Sequence, residues 1–520
     1  MTNAATCLSA KLVLAQGANT DVPAALLTWD DFSAILPVLV LLATGTLVLL
    51  VDCFNRGLSR PEAPGKQSSS LSAVINLLGL LGAVVAGVLA VSSIQQPELT
   101  AFQDSIRVDS FSRSVSLLII LGTFFSLVGA IDYLKRFDAE HGEFHCLLHY
   151  AAASMILFVQ SNNLIMLFLA VETLSMAVYI LTSYLRNQRR SVEGGLKYFI
   201  LGSFASGFLL FGFTLIFGAT GAIELPAIAE SIAANQADQS LLLAGLALTV
   251  IGLGFKLGAF PFHSWLPDAY EAAPAVATGF MSVTVKSAAI VVLLRFLVLV
   301  ANAPGSELPV GEALTALLSL LAVATILYGN LVALMQDSVK RMLAYSAIGH
   351  TGYLLIGVVA ALDPGRSGTA EAAVLFYLLP YTLMSLAAFT LLGCLGENGE
   401  DRETFEDYRG LSSSRPVLAL CLLVVLVSFA GIPPTAGFWA KLHIFRAALD
   451  GGHTWLALAG IAGSVISLYF YLRLVVNMYM RPAREELDID PDANFASGLV
   501  IVTAALALVI LGIFFPDLSL

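Results

Sequence analysis

Long apolar runs separated by short polar breaks set the pattern of this chain. Fourteen segments, roughly 32–52, 71–93, 112–134, 145–161, 163–185, 194–220, 241–263, 275–301, 312–335, 342–362, 371–395, 416–449, 455–480 and 496–515, carry the apolar length that crosses a bilayer core. The fourth and fifth part at Gln160-Ser161-Asn162-Asn163, a polar turn signal. The pattern predicts an all-α polytopic membrane protein, one transmembrane domain over 1–520.

Charge between the spans predicts their orientation. Arg56, Arg60 and Lys66; Lys135 and Arg136; Arg186, Arg189 and Arg190; Lys340 and Arg341; Arg402, Arg409 and Arg415; and Arg481 and Arg484 all fall on one side when fourteen spans alternate. The positive-inside rule makes that side cytoplasmic and sends both termini outside. The opposite loops, such as the one from Glu224, are short of basic residues.

Proline marks two of the spans. Pro261 interrupts the seventh, just after Lys256, and Pro433 and Pro434 interrupt the twelfth, just before Lys441. Five spans separate them, an odd number, so the two copies enter from opposite faces. Two inverted five-helix repeats follow, at about 142–301 and 308–480, with flanking helices over 32–134 and 496–515.

Composition agrees. Of 520 residues 58% are hydrophobic and 12% charged, with a mean hydropathy of +0.85, far from the soluble average. The net charge of −11 is spread over short loops, which argues against nucleic-acid binding. Cys7, Cys53, Cys146, Cys394 and Cys421 form no CxxC pair, so neither zinc nor an iron–sulfur cluster is expected. The first 30 residues lack a charged head followed by a long apolar core, and no cleaved leader is expected.

The chemistry gathers between Gly252 and Lys286, where two lysines, a histidine and acidic residues interrupt the apolar runs. Four ionisable side chains are expected within spans: Glu172, Lys256, Lys286 and Lys441. Their insertion costs sum to about 10–14 kcal/mol, comparable to the net stability of a domain, so pairing and water must compensate. Burial disfavours a charged amine and a nearby carboxylate restores it, which brings the two protonation states close in energy. A relay follows from this: Glu172 holds or releases the proton on Lys256, Lys286 receives it, and Lys441 is the next station or the exit. The breaks at Pro261, Pro433 and Pro434 admit water. A second rank comprises Glu193 and Lys197, spaced i, i+4; His263, Asp268 and Glu271, placed as a cytoplasmic entrance beside an interfacial Trp265; and His350.

His141, Glu143, His145, Cys146 and His149 carry metal-ligand spacing but lack a second element, so no metal is expected. Gly252, Gly254 and Gly258 lack the spacing and strand of a dinucleotide loop and read as sites of close helix contact. The stretches from Ser59 and from Glu397 read as loops.

Five stretches together carry a resemblance: LFLAVETLSMAVYIL around Glu172, VEGGLKYFILGSFASG from Val192, GLGFKLGAFPFHSWLPDAYEAAP from Gly252, the helix through Lys286, and AGIPPTAGFWAKL from Ala430. On these the chain resembles the antiporter-like membrane subunits of proton-pumping NADH:quinone oxidoreductase, respiratory complex I, over nearly all fourteen spans. It departs from the family at Leu266-Pro267-Asp268-Ala269-Tyr270 and at the His145/His149 cluster. The resemblance implies that Glu172, Lys256, Lys286 and Lys441 are proton-path positions. It also implies that this chain binds no cofactor, with NAD, flavin, iron–sulfur clusters and quinone in partner subunits. Sister antiporter-like subunits and small helical subunits of the membrane arm are the implied partners, in a bacterial plasma membrane. A cation/proton antiporter or a membrane-bound hydrogenase complex would use a similar chain.

Overall fold

The computed structural model describes residues 28–58, 69–303, 310–363, 365, 367–396, 401–483 and 495–514. Cys7, the amino-terminal segment read for a leader, Arg60, Lys66 and Arg484 lie outside them.

A short capped helix α1 (Trp29–Ala34) leads into α2 (Leu36–Leu58) and α3 (Ser69–Ser93). A small antiparallel hairpin, β1 (Leu99–Ala101) on β2 (Ile106–Val108), precedes α4 (Ser110–Arg136). Asp109 starts α4 with a capping box, its carboxylate accepting the Ser112 N–H. Next come α5 (Gly142–Gln160) and α6 (Leu164–Thr182), divided at the predicted polar turn; Asn163 caps α6 by accepting the Met166 N–H at 2.7 Å. The chain continues through α7 (Arg189–Thr220), α8 (Leu225–Ala233), α9 (Gln239–Leu257) and α10 (Trp265–Ala272). α11 (Ala275–Phe280), a π-helical turn at Met281–Val285 and α12 (Lys286–Ala301) together form one span. The rest is α13 (Val310–Leu334), α14 (Val339–Ala361), α15 (Ser367–Cys394), α16 (Leu411–Ser414), α17 (Pro416–Ala430), α18 (Ala436–Asp450), α19 (Thr454–Met480) and α20 (Phe495–Phe514).

Among the described residues thirteen helices are long and apolar enough to cross a membrane. The predicted twelfth span, 416–449, is instead two 15-residue pieces, α17 and α18. Each rises about 22 Å at 1.5 Å per residue, short of a core of about 30 Å. The crossing is therefore shared between half-helices.

Both breaks have the same local cause, and it is not the one the prolines suggest. α9 stops at Gly258 (φ 69°) and α17 at Gly431 (φ 78°), each a left-handed glycine whose N–H caps the last turn. Pro261, Pro433 and Pro434 sit two or three residues further on, where they prevent the helix from restarting. Gly258 is thus a helix stop, whereas Gly252 is a close-contact glycine, since a Cβ there would lie 2.7 Å from the Leu209 Cβ.

α14 forms the axis of the molecule. Its apolar stretch is fully buried, and those of α11–α12 and α15 are nearly so. α2 and α3 are peripheral, with broad exposed apolar faces.

Candidate functional site

Three lysines lie in the core of the helix bundle. Lys256, on the last turn of α9, donates to Ser175 Oγ at 2.7 Å and Tyr179 OH at 3.1 Å, both on α6. Glu172, on the same α6 face one turn earlier, accepts from Ser206 Oγ of α7. Among the described residues no carboxylate lies within 4 Å of the Lys256 amine, and Ser175, one turn on from Glu172, is its partner instead. Glu172 is partly exposed on the flank of the chain, between exposed Leu169 and Met176.

Lys286 follows the π-helical turn. Its amine donates to the Ala347 carbonyl of α14 and, at 3.3 Å, to Tyr381 OH of α15. Tyr381 follows Pro380, a proline inside α15. Single π turns recur at functional sites because the extra residue turns a side chain off the regular helical face. Lys441, on α18, donates to the Phe429 and Ala430 carbonyls at 2.9 and 3.2 Å and lies over the Tyr353 ring, 5.0 Å from its centre. Neither lysine has a carboxylate within 4 Å among the described residues.

His350 of α14 stands between these two amines. Its Nδ1 meets Tyr377 OH at 2.6 Å and its Nε2 meets Tyr471 OH at 3.3 Å, while its ring packs on Tyr381, Tyr353 and Phe429. Tyr471 also bonds Ser346. Thr351, the next residue of α14, donates to the Leu257 carbonyl at the seventh-span break, 2.8 Å away. Lys286, His350 and Lys441 thus share tyrosine neighbours around α14: the His350 ring packs on Tyr381, which bonds Lys286, and on Tyr353, which lies under Lys441.

The second-rank residues separate into two places. Glu193, Lys197, Asp268 and Glu271 belong to one chain of ion pairs. Lys197 meets Glu193 and Asp268 at 3.1 and 3.2 Å, and Arg341 meets Asp268 and Glu271 at 3.1 and 2.8 Å. Arg190 binds Glu271 and, at 2.9 Å, Glu403. Lys340 lies 3.5 Å from both Glu403 and Asp401, and Asp401 pairs with Arg136 at 2.7 Å. The chain alternates in sign and ties α7, α10, α14 and α4 to the 401–403 segment. His263 takes no part in it: it is buried against Phe260 and Tyr328, with Nδ1 unpartnered. Trp265 is not interfacial. It is buried, stacked on Tyr198 at 4.0 Å, and donates to the Phe255 carbonyl at 2.8 Å.

Sequence reasoning missed the hydroxyl partners of the lysines, although Ser175 and Tyr179 lie three and seven residues after Glu172, a spacing that keeps one helix face. It missed buried Lys340, and it missed a further charge within a span: Arg295 of α12, held by Asp109 at 2.8 Å and the Val159 carbonyl at 3.0 Å. In the histidine cluster His149 engages the His145 and Gly79 carbonyls at 2.7 and 3.1 Å. Among the described residues no group of three His, Cys, Asp or Glu side chains is placed to hold a metal ion.

Residues 161–467 match the NADH:quinone oxidoreductase/Mrp antiporter transmembrane family. NADH-quinone oxidoreductase subunit N 1 of Herpetosiphon aurantiacus is 40% identical over 91% of this chain and 93% of the relative. Subunit N of Myxococcus xanthus is 37% identical over 94% and 96%. Among solved structures, a chain of respiratory complex I from Thermus thermophilus with bound aureothin superposes with a TM-score of 0.75 at 30% identity, covering 92% of this chain and 97% of that one. A chain of the Mrp complex from a Dietzia species shares the fold, with a TM-score of 0.77 at 21% identity over 93% and 94%. The chain belongs to the NADH:quinone oxidoreductase/Mrp antiporter family of transmembrane subunits, within its NADH-quinone oxidoreductase subunit N branch.

Proposed function

We propose that this chain moves protons within the membrane arm of an NADH:quinone oxidoreductase, through Glu172, Lys256, Lys286 and Lys441, while nicotinamide oxidation and quinone reduction take place in other subunits. One observation carries the reading: three buried lysines are held by hydroxyls and backbone carbonyls, with no carboxylate within 4 Å among the described residues. A permanent counter-ion would fix the proton on the amine. Hydroxyl and carbonyl partners hold it while leaving it exchangeable, and tyrosine and histidine supply groups that both accept and donate.

In this reading Glu172 sets the charge state of Lys256 across Ser175. Lys286 receives the proton next, and Lys441 is the terminal station, with His350 between them and water completing the links. The two inverted repeats, at about 142–301 and 308–480, place Lys256 and Lys441 at equivalent breaks on opposite approaches to the midplane, with the arginine-rich ends cytoplasmic and both termini outside. The exposed apolar flank of α6 around Glu172 fits a neighbouring subunit of the membrane arm, through which the redox event would reach the glutamate. A cation antiporter would favour carboxylates near the breaks, and these breaks carry amines.

The test uses the whole complex carrying Lys256→Met, reconstituted in vesicles and driven by NADH. The subunit is expected to insert and the complex to assemble, with proton uptake per electron pair reduced. Uptake equal to that of the unaltered complex refutes the relay.

A further inference from the structure

The histidines of α5 lie apart from the lysine line, and one of them has the surroundings of a binding site. His145 is 3% exposed, and neither ring nitrogen completes a hydrogen bond. The His141 carbonyl, one turn earlier, is the backbone acceptor that faces the ring. A buried polar group left in this way is uncommon and asks for an occupant. His145 lines a cavity of about 10 Å³ between α3, α4 and α5. Ser72, Asn76 and Glu140 form its polar side, and Ala130 and Leu134 close the other. Ser72 Oγ donates to Glu140 Oε1 at 2.6 Å, which leaves Glu140 Oε2 as an acceptor. A space of about 10–15 Å³ with two to four polar partners takes one water molecule.

His149 lies one turn deeper on the same face of α5. Both of its ring nitrogens face backbone carbonyl oxygens, which are acceptors only. Both bonds are made at once only when the ring carries two protons.

We propose that this cavity binds one water molecule bridging Glu140 and His145, and that Glu140, the water and His145 form a proton-holding site in the flanking helices, separate from the lysine line. Transfer needs no further reactant: a protonated Glu140 gives its proton to the water, and the water passes one of its own to the His145 ring, leaving a carboxylate and an imidazolium. The other charged groups around the site are already engaged. Asp52 of α2 accepts the Gly142 N–H at 2.8 Å, Glu143 of α5 meets Arg186 at 3.2 Å, and α4 presents apolar residues.

Three measurements on the intact complex test the proposal. A density map fine enough to show ordered water should place a peak within about 3.2 Å of both His145 and Glu140. A dry cavity, or Asn76 turned to bond His145 directly, overturns it. His145→Leu should lower the unfolding midpoint by about 2 °C, and His145→Gln, which still bonds water, should restore it. If the nitrogens are merely unpaired, leucine raises the midpoint instead, and that result also overturns the proposal. A pH-difference infrared spectrum should lose a histidine band in His145→Leu, and an unchanged spectrum removes the proton-holding role. None of these readouts depends on the lysine relay.

Discussion

Lys340→Met separates a structural ion pair from a surface one, and its cost follows from the geometry. The Lys340 side chain is 3% exposed, donates to the Ala273 carbonyl at 2.8 Å, and sits 3.5 Å from Asp401 and from Glu403. Removing one partner of a buried pair costs about 3–5 kcal/mol, because the charge left behind is uncompensated. Here the carboxylates are not abandoned. Asp401 keeps Arg136 at 2.7 Å and the Tyr133 hydroxyl at 2.9 Å, and Glu403 keeps Arg190 at 2.9 Å. The loss falls to the low end, about 3 kcal/mol, and the unpaired Ala273 carbonyl adds about 1 kcal/mol, for a total of about 4 kcal/mol. Lys197→Met is the control. Lys197 is 49% exposed and its partners Glu193 and Asp268 are 56% and 34% exposed, so its loss costs about 0.2–1 kcal/mol. The assay is denaturant or thermal unfolding of the subunit within the purified complex, at low salt and at 1 M salt. Lys340→Met should show the larger shift at both, since salt screens exposed pairs far more than buried ones. Equal shifts for the two variants, or a Lys340→Met effect that vanishes at 1 M salt, would refute the claim that Lys340 joins the 401–403 segment to α14 from inside the fold.

Two further outcomes are expected. Gly202→Ala places a Cβ 1.9 Å from the Tyr179 hydroxyl, so Tyr179 must leave Lys256; proton uptake in vesicles should fall although no charge has changed, whereas Gly207→Ala, with nothing within 4 Å, should leave it intact. Asp31 is held below the usual carboxylate range, first by the Phe102 N–H at 2.6 Å and then by Thr28. A depressed value means that the contact stabilises above the unfolded value of about 3.9 and is lost as pH falls through the folded one, so protection of the Phe102 amide against hydrogen exchange should drop below about pH 4, and a flat profile to pH 3 would contradict this.

Much of the fold was legible because the bilayer imposes it. Apolar length and polar turns located the spans, including the narrow division at Ser161–Asn163, where only the backbone satisfaction of α5 and α6 decides the boundary. The two breaks were legible through their prolines, but the stopping residues were glycines, since Gly258 and Gly431 take a backbone conformation that no periodicity reveals. The π-helical turn before Lys286 was invisible for a similar reason: MSVTV reads as ordinary apolar helix. Beyond the i, i+4 pair of Glu193 and Lys197, the ion-pair chain was illegible because its other links are long-range; Arg136 and Asp401 are 265 residues apart, and Lys340 in sequence looks like one more loop cation. Trp265 was misread because composition places a tryptophan near an interface without telling whether Tyr198 covers it.

The position of two of the three lysines follows from where helices end. A helix leaves its last four carbonyls without internal partners and carries about half a negative charge there. Lys441 reaches back from α18 to two such carbonyls, Phe429 and Ala430, at the end of α17, and Lys256 rides on the last turn of α9. An unbroken helix over 416–450 would spend the Phe429 and Ala430 carbonyls on its own N–H groups and leave the Lys441 amine no such partners at that depth. The break and the lysine are therefore one device, because the acceptors freed by the missing turn are what make a buried amine tolerable there. That device also accounts for the absence of a carboxylate within 4 Å of the Lys441 amine among the described residues, since the half-helix end supplies the negative potential, whereas Lys256 takes the Ser175 and Tyr179 hydroxyls instead.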